Sequence, residues 1–272
     1  MNHEPESNSD RKQMSYLHHL FNLNGKVAAV VGATGALGSA IAESLAKAGA
    51  HTAIIYQGNQ KKAEEICDSL VSQGLTARPW QMDVRNEDSI IQTIADIGSQ
   101  WDDVDILVNA SGINSATSIM DIDGEEWDKI MDINLKGVYW TNRAVARNLI
   151  AKGKKGSIIN LTSVSSDIPL SKVFVYGMSK AAVNNMTRYM AREWAPEIRV
   201  NAIMPGFIPG EQNREILSEE RRESILQHSA IKRYGEPDEM CGAVLWLASD
   251  KASSYVTGAI VPVDGGFTAM SI

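Results

Sequence analysis

Cysteine is scarce. Cys67 and Cys241 are the only two in 272 residues, too few for a disulfide framework. Long apolar runs are missing as well, since no stretch approaches the roughly 20 consecutive apolar residues that a helix needs to cross a bilayer. Residues Met1 to Lys12 are polar and acidic, with no apolar signal region. These absences set the expectation of a cytoplasmic protein with no membrane partner. Positive charge is in deficit too, with 26 Lys+Arg against 33 Asp+Glu and a net charge of −7. A general nucleic-acid binder needs clustered positive charge to displace counterions, so no nucleic-acid partner is expected. Histidine is rare, and the adjacent His18 and His19 have no third ligand at metal spacing. They read as solvated, and no metal is expected. Repeats, low-complexity linkers and breaks in composition are also absent, which points to one domain.

What is present is a regular alternation within a chain that is 44% hydrophobic. Val27-Ala28-Ala29-Val30-Val31 is a wholly apolar run of strand length, as expected for a strand buried on both faces. Leu37, Ile41, Leu45 and Ala48 follow at helical spacing, and Gly49 ends that helix. Further strands are predicted at Thr52 to Tyr56, Thr76 to Met82, Asp105 to Asn109, Ser157 to Leu161, Ile198 to Ile203 and Ala259 to Val263. Helical stretches lie near 60–73, 86–99, 125–151, 174–194, 211–228 and 237–249. Alternating strand and helix implies right-handed crossovers, hence a seven-stranded parallel sheet in a doubly wound α/β domain with helices on both faces. Residues 1–24 read as a tail, disordered over the first dozen, with a small docking patch at Tyr16, Leu17, Leu20 and Phe21.

The turn Gly32-Ala33-Thr34-Gly35-Ala36-Leu37-Gly38 joins the first strand to its helix. Glycines there allow close backbone approach, and the following helix offers free N–H groups and a positive dipole end to a pyrophosphate. The acidic residue that holds an adenosine ribose would lie about twenty residues on. Tyr56 and Gln57 stand there instead, followed by Lys61 and Lys62. Without a carboxylate to repel a 2′-phosphate, NADP(H) is favoured over NAD(H).

Tyr176 and Lys180 are four residues apart in a helical stretch, so they share a face. A phenol ordinarily titrates near 10, and a neighbouring ammonium should lower that value. Such a pair makes an acid/base for interconverting an alcohol and a carbonyl.

Together with the glycine turn, the chain resembles the short-chain dehydrogenase/reductase family, a Rossmann-type fold, from about Leu23 to the C-terminus. The resemblance rests on Gly32-x-x-Gly35-x-x-Gly38, Asp83-Val84, Asn109-Ala110-Ser111-Gly112, Asn134-Leu135-Lys136-Gly137, Ser163, Tyr176-x-x-x-Lys180, Arg199-Val200-Asn201, Pro205-Gly206 and Val263-Asp264-Gly265-Gly266. It implies an NAD(P)-binding domain over 25–272 and an oxidoreductase acting on CH–OH groups. It also implies a catalytic tetrad. Ser163 would stabilise charge on the substrate oxygen. Tyr176 would be the acid/base, Lys180 would hold the nicotinamide ribose, and Asn134 would hold a relay water. Asp83 and Val84 would flank the adenine, Asn109, Ala110, Ser111 and Gly112 would pass beneath the cofactor, and Pro205, Gly206 and Ile208 would complete its contacts. The family also implies a homotetramer or dimer, built on the helices near 125–151 and 174–194. Four features depart from the short members of the family: the middle glycine is Gly35 and not the residue at Ala36, Val31 replaces a usual threonine, Asn-Ala-Ser-Gly replaces Asn-Asn-Ala-Gly, and Gly210 sits where many members have a threonine.

The segment Pro205 to Arg214 resembles the substrate loop of sugar-acid and polyol members, mannonate and gluconate oxidoreductases among them. Gln212, Asn213 and Arg214, with Asn114, Ser163 and Tyr176, are the expected substrate contacts for hydroxyls and a carboxylate. A ketone or 3-oxoacyl reductase is the alternative substrate reading, and an NADP(H) sensor without turnover is a remote one. The mixed charges from Glu211 to Glu223 read as a solvated helix face.

Overall fold

All seven segments read as extended form strands in the computed structural model, which describes residues 8–209 and 218–270. They are β1 (Val27–Val31), β2 (His51–Tyr56), β3 (Ala77–Gln81), β4 (Ile106–Asn109), β5 (Gly156–Leu161), β6 (Ile198–Pro205) and β7 (Ile260–Val263). They lie in one sheet, ordered β3-β2-β1-β4-β5-β6-β7, and every pairing is parallel. The side-chain period of two sends alternate residues of β1 to opposite faces. Ala28 and Val30 join one apolar cluster, Val27, Ala29 and Val31 the other. Because β1 buries both faces, all five of its residues are apolar and the run lacks alternation.

The helices are α1 (Asn8–Phe21), α2 (Ala36–Lys47), α3 (Gln60–Ser72), α4 (Glu87–Gln100), α5 (Gly124–Met131), α6 (Gly137–Ala151), α7 (Phe174–Trp194), α8 (Glu219–His228), α9 (Cys241–Ala248) and the short α10 (Asp250–Ser253). Three differ from expectation. The stretch 125–151 is not continuous, because one π-helical turn, Asp132–Lys136, separates α5 from α6. The stretch 237–249 opens with a 3₁₀ turn, Pro237–Met240, where Pro237 supplies the fixed φ and Glu236 and Glu239 close a capping box. Residues 8–21 are helical although the sequence shows no period there. The end of α1 docks on α10 through a Ser249 hydroxyl bond to the Leu20 carbonyl and a 3.0 Å contact of Lys251 Nζ with His19 Nδ1. Tyr16 and Leu17 of the expected docking patch stay exposed.

The strand order reverses between β1 and β4, so a crevice opens at their carboxyl ends. The glycine turn, the segment after β4, Ser163 after β5 and Gly206 after β6 all converge there.

Candidate active site

The glycine turn follows β1 directly. Gly32 has φ +79°, a left-handed conformation, and a Cβ there would lie 2.8 Å from the Ser111 backbone. A Cβ on Gly38 would lie 2.2 Å from the Gly32 carbonyl oxygen. No side chain caps the N-terminus of α2. Its first N–H groups and its dipole therefore face the crevice, as an anion site requires. Beside the turn, the Ser111 hydroxyl is buried without a hydrogen-bond partner among the described residues. A glycine-rich turn, an uncapped helix start and an unpartnered hydroxyl together fit a bound dinucleotide.

The remaining predicted cofactor residues divide by what their side chains touch. Thr34, Ala36 and Leu37 continue the turn into α2. Gln57 is exposed just beyond β2, whereas the Tyr56 side chain packs into the core, so only the Tyr56 backbone faces the crevice end. Asp83 is clamped by Arg85 at 2.7 and 3.0 Å, which holds its carboxyl below the ordinary range. Val84 packs on Gly137. The Asn109 side chain turns inward, donating to Asn142 at 2.6 Å and Asn160 at 3.0 Å, which leaves its backbone with Ala110 to line the site. Gly206 lies against Asp264, bonded through its N–H to the Val263 carbonyl at 3.0 Å. Pro205 pairs with Val263, and Ile208 packs against Gly235.

The four candidate catalytic residues come together from four segments. Asn134 sits in the π-helical turn, fully buried. Its amide exchanges two bonds with the Ile113 backbone, at 2.8 and 2.9 Å, and donates to Ser179 Oγ at 3.2 Å. Ser179 Oγ in turn donates to the Tyr176 carbonyl at 2.7 Å, which ties the π turn to α7. The wider turn is what lets Asn134 reach both, and π turns recur at functional sites for such reasons. A Cβ on Gly112 would lie 3.3 Å from Lys180 Nζ and 3.4 Å from Asn134 Oδ1, so both groups border the same spot. Lys180 Nζ is 5.6 Å from the Tyr176 ring centre and donates to the Leu161 carbonyl at 2.8 Å.

Electrostatics here differ from the expectation of a lowered phenol. Burial pushes the Tyr176 hydroxyl above its ordinary value, against a smaller downward effect of the Ser163 hydrogen bond. Burial also brings the Lys180 ammonium down to about 8. Its acceptor is a carbonyl, not a carboxylate, so nothing offsets the lost hydration. Ser163 Oγ accepts from the Ser165 backbone N–H at 3.2 Å and from Ser165 Oγ at 2.9 Å. That leaves the Ser163 proton directed elsewhere.

A cavity of about 870 Å³ opens above Ser163 and Tyr176, with Asn114, Ser115 and Phe207 among its walls. The Glu126 carboxylate anchors the Asn114 wall by accepting from the Ser115 hydroxyl and, at 2.8 Å, from Thr117. Gln212, Asn213 and Arg214 lie outside the described residues. Sequence reasoning missed Lys172 and Arg221, which also line this cavity. In sequence Arg221 belongs to a run of mixed charge that looks like a solvated face, and no local signal distinguishes it from its charged neighbours. It missed, too, the buried Asn109, Asn142, Asn160 and Thr187 network under the site. Isolated asparagines at unrelated positions give no sign that a fold will gather them.

The comparisons with known proteins agree with this geometry. Residues 32–268 match the family model described as enoyl-(acyl carrier protein) reductase. The chain is 35% identical to the uncharacterized oxidoreductase UxuB of Bacillus subtilis, over 92% of this chain and 97% of that one. It is 36% identical to a 3-oxoacyl-[acyl-carrier-protein] reductase FabG of Staphylococcus epidermidis, over 89% and 98%. Among solved structures, it superposes with a TM-score of 0.88 and 32% identity on a gluconate 5-dehydrogenase from Burkholderia cenocepacia in complex with NADP and tartrate, covering 94% of this chain and 100% of that one. The chain belongs to the short-chain dehydrogenase/reductase family. It is an NAD(P)-dependent oxidoreductase with a Rossmann-type fold. Among the described residues, no helix is long and apolar enough to cross a membrane.

Proposed function

We propose that this enzyme interconverts a secondary alcohol and a carbonyl on a sugar acid, polyol or ketose, with NADP(H) as the preferred cofactor. The observation that carries the reading is the convergence of Ser163 and Tyr176 on one cavity whose wall also carries Asn114, Ser115, Lys172 and Arg221, with Lys180 and Asn134 behind them. When bound, the nicotinamide supplies the hydride in reduction and accepts it in oxidation. In reduction, Ser163 donates to the carbonyl oxygen, since its own acceptor sites are filled by Ser165, and so stabilises charge growing there. Tyr176 gives its hydroxyl proton to that oxygen, and the O–H of the alcohol is complete. In oxidation the same proton returns to Tyr176. Lys180 stabilises the phenolate left behind, and Asn134 fixes the Ile113 and Ser179 groups around them.

Three further points belong to this reading. No carboxylate stands where Tyr56 and Gln57 end β2, and Lys61 and Lys62 follow, which favours a 2′-phosphate. The relative solved with NADP and tartrate supports both the cofactor and a polyhydroxy acid. A homotetramer or dimer fits the exposed apolar residues Ile91, Tyr139 and Ile150 on α4 and α6; light scattering on the purified protein measures it.

A second reading, 3-oxoacyl or ketone reduction, is favoured by Leu170, Val173, Phe207 and Ile208 in the same cavity wall and by the FabG relative. The deciding experiment is a nicotinamide-absorbance screen pairing each cofactor with sugar acids, polyols, ketoses, simple ketones and 3-oxoacyl thioesters in both directions. Turnover of a sugar acid, polyol or ketose is expected. Turnover confined to ketones or thioesters would overturn the substrate assignment.

A further inference from the structure

Two cations line the same cavity, and neither was singled out by its sequence. Arg221, in the first turn of α8, lines the cavity together with Lys172, in the turn that leads into α7. Arg221 reaches across to that turn, donating from Nη2 to the Ser171 carbonyl at 3.0 Å and from Nη1 to Ser171 Oγ at 3.3 Å. Those bonds hold the guanidinium beside the residue that precedes Lys172. Most of its N–H donors remain without a partner among the described residues. Lys172 is exposed and has no hydrogen bond or ion pair among the described residues, and its backbone sits at φ +61°, in the left-handed region. A lysine gains nothing from that conformation, whereas a glycine or asparagine would adopt it readily. Retained strain of this kind concentrates at ligand sites.

The sign of the charge is one-sided. The described residues lining the cavity include no Asp or Glu, although the whole chain carries a net charge of −7. The residues of the glycine turn are absent from this lining, so the pair faces the reacting end of the site and not the pyrophosphate cradle. A planar guanidinium and an ammonium on one cavity wall are the donor set that binds a carboxylate, the arginine by paired N–H bonds and the lysine as a point charge.

We infer that Lys172 and Arg221 bind the carboxylate of an anionic substrate at the cavity rim, while its reacting carbon lies over Ser163 and Tyr176. The inference rests on the proposed function and narrows it to acids. Neutral polyols of equal length would lack the anchor.

The test is a calorimetric titration of the enzyme saturated with NADPH, the form that cannot accept a hydride from an alcohol, with gluconate and with sorbitol, which has the same carbon chain but no carboxylate. Wild type, Lys172→Met, Lys172→Glu and Arg221→Met are compared, with Arg221→Lys as the conservative variant. Gluconate affinity should fall about tenfold or more in Lys172→Met and Arg221→Met, further in Lys172→Glu, and recover in part in Arg221→Lys. Sorbitol affinity should not change. Lys172→Met removes an exposed, unpartnered side chain, so its fold is safe even where Arg221→Met loses the Ser171 contacts. Failure of gluconate to bind wild type, or equal losses for acid and polyol, would overturn the inference. Because binding is read without turnover, gluconate bound through the two cations but never oxidised would leave this inference standing and count against the proposed function instead.

Discussion

The two ends of the crevice are built on opposite physical terms. At the catalytic end, Asn134 and Lys180 are buried, and each is fixed by hydrogen bonds to backbone or to a buried hydroxyl. At the adenosine end, Gln57 is exposed, and the side chains of Lys61 and Lys62 are 89% and 51% exposed, each 4.0 Å from Glu65. Burial makes the first end rigid and shifts its titrations. Solvation leaves the second adaptable, and contacts there contribute little individually. Packing therefore fixes the groups at the first end, while the charges at the second are few and screened.

Substituting Tyr176→Phe should have the largest effect. It removes the transferable proton, so kcat should fall on the order of 10³-fold while cofactor affinity, read by fluorescence quenching, stays the same. Because burial raises the phenol above its ordinary value, the wild-type oxidation rate should climb with pH from neutrality and still be rising at about pH 10, and a flat profile would show that another group takes the proton.

Lys180→Met sharpens the contrast through stability. The folded protein holds the Lys180 proton at about 8, against an ordinary value of 10.5, so it binds that proton less tightly than the unfolded chain does. The cost of burying the ammonium is present in full below about pH 8 and is relieved as pH rises to 10.5. Across that window wild type should gain roughly 3 kcal/mol relative to the variant in denaturant titrations. Parallel curves for the two proteins would mean the amine is hydrated.

The glycine turn offers a smaller, internal contrast. A Cβ on Gly38 meets the Gly32 carbonyl at 2.2 Å, but one on Gly35 stands off at 3.4 Å. Gly38→Ala should cost about 1–3 kcal/mol in stability or cofactor affinity. Gly35→Ala should stay within about 0.5 kcal/mol, and equal effects would disprove the backbone contact as the cause.

The smallest effect belongs to the solvated end. Replacing Lys61 and Lys62 with alanine should lower the NADP/NAD preference in kcat/KM by about threefold to tenfold at low salt. That loss should shrink at high salt. No change at either ionic strength would assign the preference to Gln57 and the backbone around it.

The alternation of apolar runs and helical periods marked out the seven strands, most plainly β1, whose five residues are all apolar because both its faces are buried. The local spacings Gly32 to Gly38 and Tyr176 to Lys180 likewise identified a turn and a helix face, since both are interactions between near neighbours. What a spacing could not carry was environment. A lysine four residues from a tyrosine says nothing of whether either is buried, and burial sets Tyr176 and Lys180 against the simple expectation of a lowered phenol. The π-helical turn at Asn134 was equally invisible, because it depends on bonds to Ile113 and Ser179, 21 and 45 residues away. Lys172 and Arg221 were hidden for the same reason: a charge on a helix start looks solvated until the fold brings it to a cavity wall. Sequence settled the elements whose energetics are local, and tertiary structure alone decided which side chains lose water and which meet.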